Sequence, residues 1–213
     1  MLNIKCNYQI MMDKNNEFVA NIKPKEKFCL ETVNAYGDRF KNLYELMELI
    51  NSKNGNTHHH PLTGPIYVEG AKPGDVIKVH IHKINTEEMA QSMSRTAGID
   101  PIATTDIADR IPIISEKFLE NEIYYSNGIK LPYKPMVGMI STTPLKEKIK
   151  TGHAKVRNGG NLDLPFITEN TDIYLPVDIE GARIILRRCS CITRIWRIEW
   201  YSNGSFKQNY TRY

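Results

Sequence analysis

Hydrophobic and polar positions alternate in short runs along most of the chain. Val76-Ile77-Lys78-Val79-His80-Ile81 puts Ile77, Val79 and Ile81 on one side and Lys78 and His80 on the other, as a half-buried strand does. Phe28-Cys29-Leu30-Glu31-Thr32-Val33 alternates likewise, after a polar, hairpin-like Asp13-Lys14-Asn15-Asn16. Ile66-Tyr67-Val68 reads as a short strand closed by Gly70 and a Pro73-Gly74-Asp75 turn. Strand character returns at Ile111-Pro112-Ile113-Ile114, at Lys134-Pro135-Met136-Val137-Gly138-Met139-Ile140 and at Asp172-Ile173-Tyr174-Leu175-Pro176-Val177. Between them, Ile123-Tyr124-Tyr125 and Ile129-Lys130-Leu131 flank Ser126-Asn127-Gly128 as a hairpin. One stretch keeps the helical period: Asp38 as cap, with Phe40, Leu43, Tyr44, Met47 and Ile50 on one face. Residues 86–109 follow neither period and read as an active-site loop or a poorly ordered one. Short strands punctuated by Gly and Pro, with little helix, predict a mainly β fold (α+β with minor helix) packed as a short-strand sandwich or barrel.

A chain of 213 residues suits one large domain or two small ones, and 41% hydrophobic with 24% charged residues is an ordinary soluble composition. No apolar run is long enough to span a bilayer, and Met-Leu-Asn-Ile-Lys lacks the apolar region of a secretory signal, so no membrane partner is expected. Cys6, Cys29, Cys189 and Cys191 form neither zinc nor redox spacing, which points to a reducing cytoplasm. The net charge of +4 is unevenly spread. Residues 187–213 carry Arg187, Arg188, Arg194, Arg197, Lys207 and Arg212 against the single acid Glu199, together with both tryptophans, so residues 1–186 are close to neutral.

Candidate chemistry gathers at two glycine-turned segments. Pro61, Gly64 and Pro65 stiffen the backbone around Thr63, with Glu69 after the next strand, a suitable frame for holding polar groups against a ligand. Gly159-Gly160-Asn161-Leu162-Asp163 places Asn161 and Asp163 on one face of an extended segment, and the glycines admit close backbone approach. The same spacing also suits an Asx-type turn with a self-bonded carboxylate. Glu69 reads either as a base or ligand or as a solvated charge at a strand end. His58-His59-His60 invites a metal reading, although three adjacent residues cannot all face one ion and a polar loop accommodates them equally. His80 and His82 share one strand face, either chelating or solvated. Cys29 fits the core better than a nucleophile's place, and His153 reads as a loop residue.

Four segments in order resemble the acetamidase/formamidase family: Pro61-Leu62-Thr63-Gly64-Pro65-Ile66-Tyr67-Val68-Glu69-Gly70-Ala71-Lys72-Pro73-Gly74-Asp75, Pro135-Met136-Val137-Gly138, Gly159-Gly160-Asn161-Leu162-Asp163, and Ile173-Tyr174-Leu175-Pro176-Val177 followed by Gly181-Ala182. The resemblance covers nearly all of residues 13–186. It implies hydrolysis of a short aliphatic amide, formamide or acetamide, to carboxylate and ammonia, and a homo-oligomer in intact family members; no nucleic-acid partner is expected. Under it the expected catalytic residues are Glu69, Asp163 and Asn161, with Thr63, Gly64, Gly159 and Gly160 against the substrate. His58, His60 and Asp163 are the expected ligands of a divalent metal, zinc or alternatively calcium. Asn158 departs from the histidine usual before Gly-Gly-Asn, and His60 stands where asparagine is common.

The larger departure follows Gly181-Ala182. The family continues, after three residues, with Leu-Gly-Asp-x-His-Ala and a Gly-x-Gly-Glu turn, the set expected to complete the site. Here the chain reads Arg183-Ile184-Ile185-Leu186-Arg187-Arg188-Cys189. Back-translating residues 186–213 with synonymous codons chosen for the purpose, then dropping the first base, yields Leu-Gly-Asp-Val-His-Ala-Leu-Gln-Gly-Phe-Gly-Glu without a stop. Residues 1–186 are therefore expected to form the family domain, incomplete at its C-terminus, and residues 187–213 an out-of-frame basic tail, exposed or disordered, in an enzyme inactive as written. The alternative is a non-catalytic β-rich binding module whose basic aromatic tail recruits an acidic partner.

Overall fold

A computed structural model of the chain describes residues 1–33, 45, 61–86, 89–93, 113–119, 122–125, 128, 130–146, 148–150, 154–155, 157–189 and 195–201. The chain divides into two compact units, Met1–Asn85 with Pro135–Tyr213, and Thr86–Lys134.

In the first unit, a five-stranded sheet runs β1 (Leu2–Ile4), β4 (Lys27–Glu31), β17 (Ile195–Tyr201), β6 (Val76–Asn85), β15 (Thr171–Pro176). A six-stranded sheet runs β13 (Ala154–Lys155), β14 (Gly159–Asn161), β11 (Val137–Thr142), β16 (Ile184–Cys189), β5 (Thr63–Val68), β3 (Ala20–Ile22). β2 (Met11–Met12) pairs with β12 (Ile149–Lys150). The second unit is a four-stranded antiparallel sheet: β10 (Lys130–Pro132), β9 (Glu122–Tyr125), β8 (Ile113–Leu119), β7 (Met89–Met93).

The pleat sorts the side chains. Ile184 and Leu186 join one buried cluster with Ile66, Val68, Ile140, Phe28, Leu30, Ile77, Val79 and Ile81, drawn from both large sheets. Ile185, between them, belongs to a second cluster with Met12, Leu62, Met139 and Ile149. Period-two alternation therefore places apolar groups on both sides of β16, each fully buried one worth roughly 1.5–3 kcal/mol.

The fold is mainly β with minor helix, as expected, but no closed barrel or sandwich geometry is seen: each sheet is open in its strand order. Glu45 is helical, and the remainder of the expected helix at residues 38–50 lies outside the described residues. Within residues 86–109, expected to be a loop, Met89–Met93 is a strand paired with β8. The hairpin at residues 123–131 is present, with Tyr124 opposite Lys130.

The tail differs most from expectation. β16 runs on to Cys189, and β17 pairs with β4 on one edge and β6 on the other. Its β-branched and aromatic residues favour extended backbone, and pairing on both edges satisfies the peptide groups of all three strands. Among the described residues, no helix is long and apolar enough to cross a membrane.

Candidate functional site

β14 is narrow by necessity. Gly159 has φ +89, and a Cβ there would lie 2.3 Å from the Ile140 carbonyl oxygen across the strand pair. Gly160 follows at φ 130, and Asp163 adopts φ 45, a left-handed conformation that aspartate tolerates better than most residues. The Leu162 and Asp163 amides both donate to the Gly138 carbonyl, each at 3.0 Å, which turns the chain sharply at the end of the strand. Within this turn Asn161 Nδ2 donates to Asp163 Oδ2 at 2.8 Å, so the two residues do share one face and the carboxylate is held by its neighbour. Arg187 completes the group, its Nη2 donating to Asn161 Oδ1 at 3.1 Å.

Arg187 was not foreseen as a partner. It is only 2% exposed, whereas the tail reading placed it in solvent. Register explains the encounter: Met139 on β11 lies opposite Asn161 on one side and Arg187 on the other, and Val137 lies opposite Cys189. Positions 187–189 thus sit one strand across from the Asn161–Asp163 turn. The available signal was the run Ile184-Ile185-Leu186, which extends a strand up to Arg187.

The other expected residues are placed elsewhere. Thr63, 1% exposed, donates its hydroxyl to the Glu31 carbonyl at 2.8 Å. Asn7 grips Gly64 from both sides, receiving the Gly64 amide at 3.1 Å and donating to its carbonyl at 2.8 Å. β5 then runs away from positions 187–189, since Thr63 pairs with Leu186 and Ile66 with Ile184. Glu69 follows its far end, its amide bonded to the Ile22 carbonyl at 2.9 Å. Of the four residues expected to gather, Asn161 and Asp163 are in direct contact, Thr63 lies on the same sheet beside Leu186, and Glu69 follows the far end of β5.

The metal reading is corrected. Among the described residues no group of three His, Cys, Asp or Glu side chains could hold an ion. Asp163 Oδ2 is instead taken by the Asn161 amide, and His58, His60 and His153 lie outside the described residues. On the outer face of β6, the His80 and His82 rings meet edge to face with centroids 4.3 Å apart. His80 Nδ1 pairs with Asp172 Oδ1 at 2.6 Å and Lys78 Nζ with Asp172 Oδ2 at 3.2 Å. The His80 hydrogen bond, with help from Lys78, holds the Asp172 carboxyl below the ordinary aspartate range. Cys6 and Cys29 are not joined in a disulfide.

The acetamidase/formamidase family model matches residues 13–157. The fold resembles the crystal structure of an acetamidase from Bacillus halodurans (25% identity, TM-score 0.80, covering 94% of this chain and 70% of that one). It also resembles an acetamidase from Yersinia enterocolitica (20%, 0.74, 95% and 68%) and a predicted acetamidase/formamidase from Thermoanaerobacter tengcongensis (22%, 0.71, 95% and 70%). No curated protein matches the sequence. With the family model spanning well over half of its residues, this chain belongs to the acetamidase/formamidase family.

Proposed function

We propose that this chain carries the scaffold of an amidohydrolase for short aliphatic amides, formamide or acetamide, releasing carboxylate and ammonia, and that it is inactive as written. The observation that carries this reading is register. Positions 187–189 lie across β11 from Asn161 and Asp163, and in the family's order those positions begin the Gly-Asp-x-His-Ala run. Here Arg187 occupies the first of them and spends a hydrogen bond on Asn161. With the frame shifted by one base at Leu186, a glycine replaces Arg187 and an aspartate replaces Arg188, with the histidine two residues further along the chain.

In that arrangement Asp163 is the candidate to activate water, and the Asn161 amide, which holds it, is the candidate to orient the substrate. Gly159 serves close packing against the Ile140 carbonyl, and Gly160 is the candidate for close backbone approach by a small ligand. Thr63 and Gly64 are fixed by the Glu31 carbonyl and by Asn7, and Glu69 stays a candidate base at the far end of β5. Residues 187–213 are then an out-of-frame segment whose extended propensity lets Ile195–Tyr201 fill the place between β4 and β6.

The test is ammonia release from formamide and acetamide by this chain and by the frame-restored chain, expressed side by side. Turnover by the restored chain alone supports the reading. General acid–base groups are worth about 10²–10⁴-fold each, so two lost together would put the chain as written near background. Equal turnover by both chains would contradict it.

A further inference from the structure

The five-stranded sheet is joined through one strand: in its order β1-β4-β17-β6-β15, β4 and β6 meet only through β17 among the described residues. The gap that β17 fills offers backbone donors and acceptors along both sides.

The two walls of this gap are patterned for an inserted strand. On β4, Phe28 and Leu30 are buried while Lys27, Cys29 and Glu31 are less so, a regular alternation. β6 alternates through Ile77, Val79 and Ile81 and then slips, the next buried residue being Ile84, three positions on instead of two. A β-bulge absorbs the slip. Arg197 on β17 lies opposite Lys83 and Ile198 opposite Ile81, so the pairing passes over His82. The pairing of β6 with β15 stops at Ile81, so the bulge serves the β17 side alone. It is therefore specified by the spacing of apolar residues in β6 itself.

β17 meets both walls in phase. Trp196 lies opposite Leu30 and Ile84, Ile198 opposite Phe28 and Ile81, and Trp200 opposite Val79. These wall residues all belong to one buried cluster. Glu199 lies opposite Lys27 and His80, an acidic position flanked by two basic ones.

We infer that the gap between β4 and β6 is a strand-acceptor site whose partner is an extended peptide, antiparallel to both walls, with apolar residues at three alternate positions and an acid before the third. Residues 195–201 are the occupant that this chain carries, and the same segment binds when supplied from outside. Main-chain hydrogen bonds give the affinity, and the alternate apolar positions and the acid give the choice of sequence. The inference does not rest on the amidase reading, since the Asn161–Asp163 turn follows β14 in the other large sheet.

The test vacates the gap within the full chain. I198P removes a backbone donor in the middle of a strand paired on both edges, and so expels it. A synthetic peptide of residues 194–202 is titrated into this variant, with a scrambled peptide and a peptide carrying E199K as comparisons. Isothermal titration measures binding, and hydrogen exchange at the amides of β4 and β6 locates it. The peptide of natural order is expected to bind and to restore slow exchange at Phe28, Leu30, Ile81 and Ile84. The scrambled peptide should bind about tenfold or more weaker for lost apolar burial. The E199K peptide should bind several-fold weaker, with a like charge opposite Lys27. If I198P does not fold alone, recovery of the fold with the natural-order peptide and not with the scrambled one supports the inference equally. Absence of both binding and recovery, equal action of either comparison peptide, or undiminished protection of β4 and β6 in I198P alone would overturn it. Ammonia release is read in none of these assays, so the two proposals fail separately.

Discussion

Arg187 reaches past β11 to Asn161, its guanidinium donating to the side-chain carbonyl at 3.1 Å, while the Asn161 amide holds Asp163 at 2.8 Å. A charged group buried to this degree depends on its acceptors.

N161A should therefore destabilise the fold by about 1.5–3 kcal/mol, the cost of taking one acceptor from a buried charged donor. D163N, which keeps a side chain suited to the left-handed φ 45 at an exposed position, should cost under about 1 kcal/mol by comparison. Urea denaturation of both variants checks the ordering.

The glycine before Gly160 is fixed by contact as well as by φ. In G159A the new Cβ would meet the Ile140 carbonyl oxygen at 2.3 Å, and backbone must move. At Gly70, φ +78, nothing lies within 4 Å, so an alanine there bears only the left-handed conformation, about 1–2 kcal/mol. Thermal unfolding should show G159A markedly less stable than G70A.

Acid should weaken the outer face of β6. The Asp172 carboxyl is lowered in the folded state by His80 first and Lys78 second. Its contribution is therefore present above the unfolded value, about pH 4, and is lost as pH falls through the lowered folded value. Asp13, held by Lys148 and by the Asn15 amide, acts with the same sign. D172N should flatten the acid limb of the stability curve, and salt should shrink the effect because the pair is partly exposed.

Period-two patterning made β4, β6 and β15 legible, since each has one face against the core, whereas β5 and β11, buried on both faces, were legible as short apolar runs bounded by Gly and Pro. The Asn161–Asp163 pair was legible because two residues on one face of a glycine turn need no long-range information. Arg187 was not. Its burial depends on β16 lying between β11 and β5, a pairing that joins distant segments and leaves no trace in local sequence. Composition pointed the other way for the tail, where arginines suggested solvent while Ile195, Trp196, Ile198 and Trp200 carry the strand propensity seen in β17.

The most direct measurement is the nucleotide sequence of the coding strand across the codons for Leu186 to Tyr213. Moving the reading frame by one base at the Leu186 codon is expected to give Leu-Gly-Asp-Val-His-Ala and then Gly-Phe-Gly-Glu, with no stop before the end of the segment. Codons that give a stop, or an unrelated sequence, in that frame would contradict the account and leave Arg187 as the true neighbour of Asn161.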